Sequence, residues 1–165
     1  MAVIKKSGRE KITTAEMEIA VAEYFCPRRN LVVPNVHWGM FFHECDVLVL
    51  TPAGIAQEVE IKISKADLKK DAEKKHGHFD SRIRKLWFAV PDYLVESCLE
   101  LAPERAGVLA VYKNKNDFLC KKIRAAKDTG NHKFSDNERY KVARLGALRI
   151  WGLKRKLVKR QINQP

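Results

Sequence analysis

The sequence of 165 residues predicts one α/β domain, a mixed β-sheet flanked by helices and followed by a long basic C-terminal helix. Three observations predict it. Six runs with strand character (30–38, 46–51, 55–63, 85–90, 107–112 and 118–123) are interspersed with stretches of helical period. Turn and breaker residues punctuate them at Pro27, Pro52-Ala53-Gly54, Pro91, Pro103 and Asn114-Lys115-Asn116. Of a net charge of +12, nine Lys or Arg fall between 139 and 160, where there is no acid.

The order reads α-β-β-β-α-β-α-β-β-α. Thr13 or Thr14 caps a first helix whose Met17, Ala20, Val21, Tyr24 and Phe25 share one face, and Pro27 closes it. Pro34 makes the 30–38 strand an edge or a bend, because proline cannot donate to a ladder. The apolar run 46–51 suits a buried strand. Across a tight turn, 55–63 alternates, with Val59, Ile61 and Ile63 on one face and Glu58, Glu60 and Lys62 on the other.

Ser64 caps a helix over 65–75. Strand 85–90, helix 93–101 and strands 107–112 and 118–123 complete a core of about 12–123, and 124–134 reads as polar and mobile. Ser135 and Glu138 form a capping box for the last helix, about 135–160. Its Tyr140, Ala143, Leu145, Leu148 and Trp151 are expected on the core, with the basic stripe outside.

Composition narrows the function. No apolar run approaches the roughly 18 residues that span a bilayer, and the charged opening lacks the apolar stretch of a signal peptide, so a cytoplasmic protein is expected. Cys26, Cys45, Cys98 and Cys120 stand far apart with no CxxC pair, as reduced core residues do. His76 and His78 lie in a short, glycine-broken loop that suits solvent or DNA better than zinc.

The basic helix has the footprint of a polyanion binder, whereas a solvated face is the plainer reading of any lysine-rich helix. Lys154, Arg155, Lys156, Lys159 and Arg160 are the expected phosphate contacts. DNA is the expected partner and a membrane is not, since the helix's apolar side is expected to be buried. A homodimer stays open.

The chemistry centres on the second and third strands. A tight turn pairs them as a hairpin, which brings Asp46, at the far end of one, towards Glu60 and Lys62 on the other. Two carboxylates converging there repel each other unless a cation lies between them, and oxygen ligands suit Mg²⁺ or Mn²⁺. Such a metal can polarise a phosphoryl oxygen and activate water, and a nearby ammonium can stabilise the charge that builds.

The first helix, this hairpin, and the helix and strand after it resemble the restriction-endonuclease-like αβββαβ core of PD-(D/E)XK nucleases. Archaeal Holliday-junction resolvases carry an A-E-x-E segment on the first helix, and Ala15-Glu-Met-Glu18 is similar. A closer resemblance is to the MmcB family of putative DNA repair proteins. It is carried by Asp46-Val-Leu-Val-Leu50, Val59-Glu-Ile-Lys-Ile-Ser64, Ala66-Asp-Leu-Lys-Lys-Asp71, Leu86-Trp-Phe-Ala-Val-Pro91 and Gly107-Val-Leu-Ala-Val-Tyr112, within about 12–160. Cys45 stands where the superfamily motif has proline.

The resemblance implies Asp46, Glu60 and the Ile61 carbonyl as metal ligands, Lys62 as the residue that positions water, and Glu16 or Glu18 as a further acid. Glu16 also stands three residues after Thr13, where a capping box would use it. Asp67 and Asp71 share a helix face and read as structural partners of Lys70, Lys74 or Lys75. The implied activity is that of a metal-dependent DNA endonuclease of repair or resolvase-like kind. Its rival is a catalytically inactive DNA-binding protein of nuclease fold.

Overall fold

The computed structural model describes residues 11–36, 44–73, 79–114 and 117–162. Six strands form one sheet in the order β1-β2-β3-β4-β5-β6: β1 (Leu31–Val36), β2 (Cys45–Leu50), β3 (Ala56–Ile61), β4 (Ile83–Pro91), β5 (Gly107–Asn114) and β6 (Asp117–Arg124). β3, β4 and β5 run parallel to one another, and the remaining pairs are antiparallel. The expected mixed α/β sheet is therefore present. Pro34 sits on edge strand β1, where its missing donor costs no ladder bond.

Helices cover both faces. α1 (Thr14–Phe25) lays Met17, Ala20, Val21 and Phe25 over Val47, Val49, Val59, Ile61, Trp87, Ala89, Leu109 and Val111. α2 (Lys65–Ala72) and α3 (Val95–Leu101), the latter preceded by a 3₁₀ turn at Asp92–Leu94, pack Leu68 and Cys98 with Leu86, Phe88, Val90 and Val108 on the other face. A separate cluster on that face joins Val33, Val36, Leu48 and Leu50 to Val142 of α4 (Asp136–Ile162).

β3 divides those two clusters. In register, Glu58 lies between Leu48 on β2 and Leu86 on β4, and Glu60 lies beside Phe88. An acid seam thus runs between two apolar patches of one sheet face.

The structure departs from expectation in particular places. The third strand ends at Ile61, so Lys62 and Ile63 lie beyond it, and Ile63 is exposed instead of sharing the core face. The stretch 125–134 has no regular structure, yet hydrogen bonds tie its backbone to the rest of the fold. Lys127 and Thr129 donate backbone N–H bonds to Arg105 and Arg84, Phe134 donates to Gly54, and Asp128 pairs with Arg84. Gly54 supplies the φ of 79° that the β2–β3 turn demands and that a side chain rarely adopts.

The largest departure is α4. Of its 27 residues only Val142 is buried, and Leu145 is partly so. Tyr140, Ala143, Leu148 and Trp151, expected on the core, are exposed. The helix meets the body chiefly through β1, and its residues from Leu153 on are all exposed. Trp38, Lys74, Lys75, His76, His78, Lys115 and Asn116 lie outside the described residues. No described helix is long and apolar enough to cross a membrane.

Candidate active site

Among the described residues the buried charged side chains are Glu58, Glu60, Lys62 and Asp71, and all four belong to one region. Burying a charge is expensive unless it is paired, so a group of four marks a place the fold maintains against its own stability.

Local backbone geometry explains how they meet. The β2–β3 ladder stops at Val47↔Val59. One step further, the Asp46 carboxylate enters the ladder in place of a carbonyl, and its Oδ2 accepts the Ile61 N–H at 2.7 Å. On the opposite side Ile61 stays in register with Ala89, and the Lys62 N–H donates to the Ala89 carbonyl at 3.0 Å. β3 is thereby held from both sides at the point where Glu60 and Lys62 leave it.

The Lys62 ammonium donates to Glu60 Oε2 at 2.7 Å and lies 3.1 Å from Asp71 Oδ1. Glu60 is 4% exposed and Lys62 9%. Burial opposes the lysine charge. The fields of Glu60, Asp71 and Asp46 and the Glu60 hydrogen bond outweigh it, and the ammonium pKa is pushed up to about 12. Cys45, at the start of β2, has its thiol pushed far up by burial and by the nearby Glu58, Glu60 and Asp46, so it remains a neutral thiol. All four cysteines are free.

The two α1 acids part company. Glu16 accepts the Thr13 N–H at 2.8 Å while Thr13 Oγ1 accepts the Glu16 N–H, a complete capping box, and Glu16 also pairs with Lys113 at 3.0 Å. These bonds hold its carboxyl below the ordinary range, the Thr13 backbone bond most of all. Glu16 therefore serves the helix end, and the structure does not bring it to the acid cluster. Glu18 is different. Its carboxyl is raised first by burial and also by the charge of Asp46, against a lowering hydrogen bond from Asn35 Nδ2.

Asn35 ties three elements together. It sits in β1 at a φ of 52°, donates to Glu18 on α1, and its carbonyl accepts from Arg149 on α4. Beside it opens a cleft of about 460 Å³ lined by Glu18, Pro34, Asn35, Arg149, Leu153 and Lys156. Of the five expected phosphate contacts, Lys156 faces this cleft, whereas Lys154, Arg155, Lys159 and Arg160 are exposed along the distal helix. Arg149 and Lys156 are seven residues apart, two turns along one face.

Asp67 is occupied at the start of α2, where Ser64 Oγ donates to its Oδ2 at 2.7 Å. Asp71 is the residue that sequence reasoning undervalued, since it meets Lys62 from the next element. The signal was the short connection, which places a helix acid within reach of a lysine only nine residues earlier. Among the described residues no three His, Cys, Asp or Glu side chains stand as a ready metal-ligand group. In these positions Asp46 is engaged by Ile61 and Glu60 by Lys62.

Fold and site together define an α/β protein with a buried acid–lysine cluster at a splayed hairpin end, flanked by a cationic helix. No protein-family model and no curated protein matches the chain. Among solved structures it is similar to a protein of unknown function from Silicibacter pomeroyi, at 21% identity and a TM-score of 0.57, over 88% of this chain and 90% of that one. That likeness speaks for the fold alone.

Proposed function

We propose that the protein is a metal-dependent DNA endonuclease, of the repair or resolvase-like kind implied by its resemblance to PD-(D/E)XK nucleases and to the MmcB family. One observation carries the reading. Asp46, Glu60 and Lys62 gather where β2 and β3 splay, and Glu60 and Lys62 are buried at a cost that structure alone does not require.

The donor set fits Mg²⁺ or Mn²⁺, because hard oxygen ligands from Asp46 and Glu60 lie in a region rich in carboxylates. When bound, such an ion supplies Lewis-acid polarisation of a phosphoryl oxygen and an acidified water. Asp46 and Glu60 would hold it, together with the Ile61 carbonyl implied by the resemblance. Lys62 would orient the attacking water and stabilise negative charge on the phosphate. Glu18, not Glu16, would be the helix acid to join them, its carboxyl being raised by burial and by the Asp46 charge while Glu16 is taken up by the helix cap. Arg149 and Lys156 flank the neighbouring cleft, a suitable approach for a phosphodiester backbone. The cytoplasm is the matching compartment.

The test is Mg²⁺- or Mn²⁺-dependent nicking of branched, flapped and duplex DNA. Asp46→Asn, Glu60→Gln and Lys62→Ala are each expected to abolish cleavage and retain binding. Cleavage at the parental rate by all three variants would refute the site. One observation favours the rival reading, an inactive DNA-binding protein of this fold: the Lys62 ammonium already neutralises Glu60. In that case the parent binds DNA and cleaves none of these substrates with either metal.

A further inference from the structure

Two side chains of α2 are buried, Leu68 and Asp71, three residues apart on one helix face. Leu68 clusters with Leu86, Phe88 and Val90 and so anchors the helix on the sheet. Asp71 does not share that task. A carboxylate at 6% exposure costs the fold more than an apolar side chain of similar size would. What it meets is the Lys62 ammonium, 3.1 Å from its Oδ1.

The two carboxylates around this ammonium are unequal. Glu60 Oε2 accepts a hydrogen bond from Lys62 Nζ at 2.7 Å, whereas Asp71 Oδ1 is met as an ion pair without hydrogen-bond alignment. The lysine backbone is held in place. Its N–H is tied to the Ala89 carbonyl at 3.0 Å, and the Ile61 N–H before it is tied to Asp46. α2 is fixed at its start as well, since Ser64 Oγ accepts the Asp67 N–H at 3.1 Å, and Ser64 lies only two residues after Lys62. Strand and helix thus keep Glu60 and Asp71 within reach of one flexible side chain, whose ammonium passes between them by side-chain torsions alone.

We propose that Asp71 is the positioning residue of Lys62, and that it receives the ammonium when a divalent cation takes Glu60. The inference rests on the metal-dependent reading above and adds to it a role for Asp71. Glu60 is one of the two carboxylates proposed to hold the ion, and its Oε2 is engaged by Lys62. An ammonium and a divalent cation on one carboxylate repel each other. Without a second acceptor, Lys62 either stays and competes for Glu60 or leaves for solvent, away from the reacting phosphate. With Asp71, it releases Glu60 and stays charged within the cluster. Asp71 touches neither ion nor substrate and acts through Lys62.

Mn²⁺ titration of the full chain, with free Mn²⁺ read by electron paramagnetic resonance, tests this without DNA or turnover. Asp71→Asn keeps the shape and removes the charge; it is expected to weaken Mn²⁺ binding by ~10- to 100-fold, the range for partners that act behind a ligand. Asp71→Glu is expected to restore most of that loss. Lys62→Met is expected to bind Mn²⁺ more tightly than the parent, because no ammonium then competes for Glu60. Made on top of Lys62→Met, Asp71→Asn should change the affinity by less than about twofold, since nothing is left for Asp71 to receive.

Unchanged Mn²⁺ affinity in a folded Asp71→Asn protein overturns the inference and leaves the nuclease reading standing. An equal loss in both backgrounds overturns it too, because Asp71 would then act on the ion by itself. If Asp71→Asn does not fold, the comparison of Lys62→Met with the double variant decides alone, and weaker binding by the double variant overturns the inference. A parent that binds no Mn²⁺, or a Glu60→Gln variant that binds it as the parent does, overturns the metal reading and the inference with it.

Discussion

Replacing Lys62 by Met removes the ammonium and leaves Glu60 and Asp71 buried without it. Two routes set the magnitude. The pKa rise from 10.5 to about 12 corresponds to about 2 kcal/mol of preference for the charged lysine in the native state. Truncating one partner of a buried pair costs ~3–5 kcal/mol, because the carboxylates left behind also lose their counter-charge. The second figure applies to the substitution, so at about 2–4 °C per kcal/mol the melting temperature at pH 7 should fall by ~6–20 °C for a chain of this size.

The loss should shrink at pH 5, where a stranded carboxyl can take up a proton in place of the ammonium. Mn²⁺ should raise the melting temperature of Lys62→Met more than that of the parent, since a bound cation replaces the missing charge. For the parent the direction is fixed as well. A lysine whose native pKa is raised contributes stability that is complete below pH 10.5 and is lost as pH rises through about 12. Circular-dichroism melts with EDTA and with Mn²⁺ make the measurement. A variant that melts with the parent at pH 7 would show that the Glu60–Lys62–Asp71 cluster does not carry the charge balance argued for it.

Three further expectations follow from named contacts. Glu16→Gln should lower the melting temperature at pH 7, because the lowered Glu16 pKa contributes stability above about pH 4.5 that is lost as pH falls through the native value; equal melts at pH 7 would remove the capping role. Glu18→Gln should act in the opposite sense, since its raised pKa means the native state tolerates that charge poorly at neutral pH; the gain should vanish in acid, and a loss at pH 7 would contradict the burial argument. Replacing Lys154, Arg155, Lys156, Lys159 and Arg160 together by Gln should weaken DNA binding and flatten the slope of log K against log salt by about 2 to 4, at about 0.9 per phosphate contact. An unchanged slope in the folded variant would leave the stripe as a solvated face.

The order of elements was legible in the sequence because it rests on local physics. Period-two alternation marked β3, Thr13 and Ser135 marked helix starts, and Pro52-Ala53-Gly54 marked the hairpin turn. The nearness of Asp46 to Glu60 and Lys62 was legible for the same reason, since a tight hairpin leaves little freedom in which residues meet at its far end. Tertiary packing decided the rest. Whether Glu16 or Glu18 meets Asp46 depends on how α1 rotates over the sheet, which its own sequence does not state. The partnership of Asp71 with Lys62 depends on where α2 docks. The face of α4 expected on the core is exposed at Tyr140, Ala143, Leu148 and Trp151, because an apolar pattern does not state what it will pack against. How much of the helix is covered is set by its docking on β1, the edge strand, which buries Val142 and leaves 153–162 exposed.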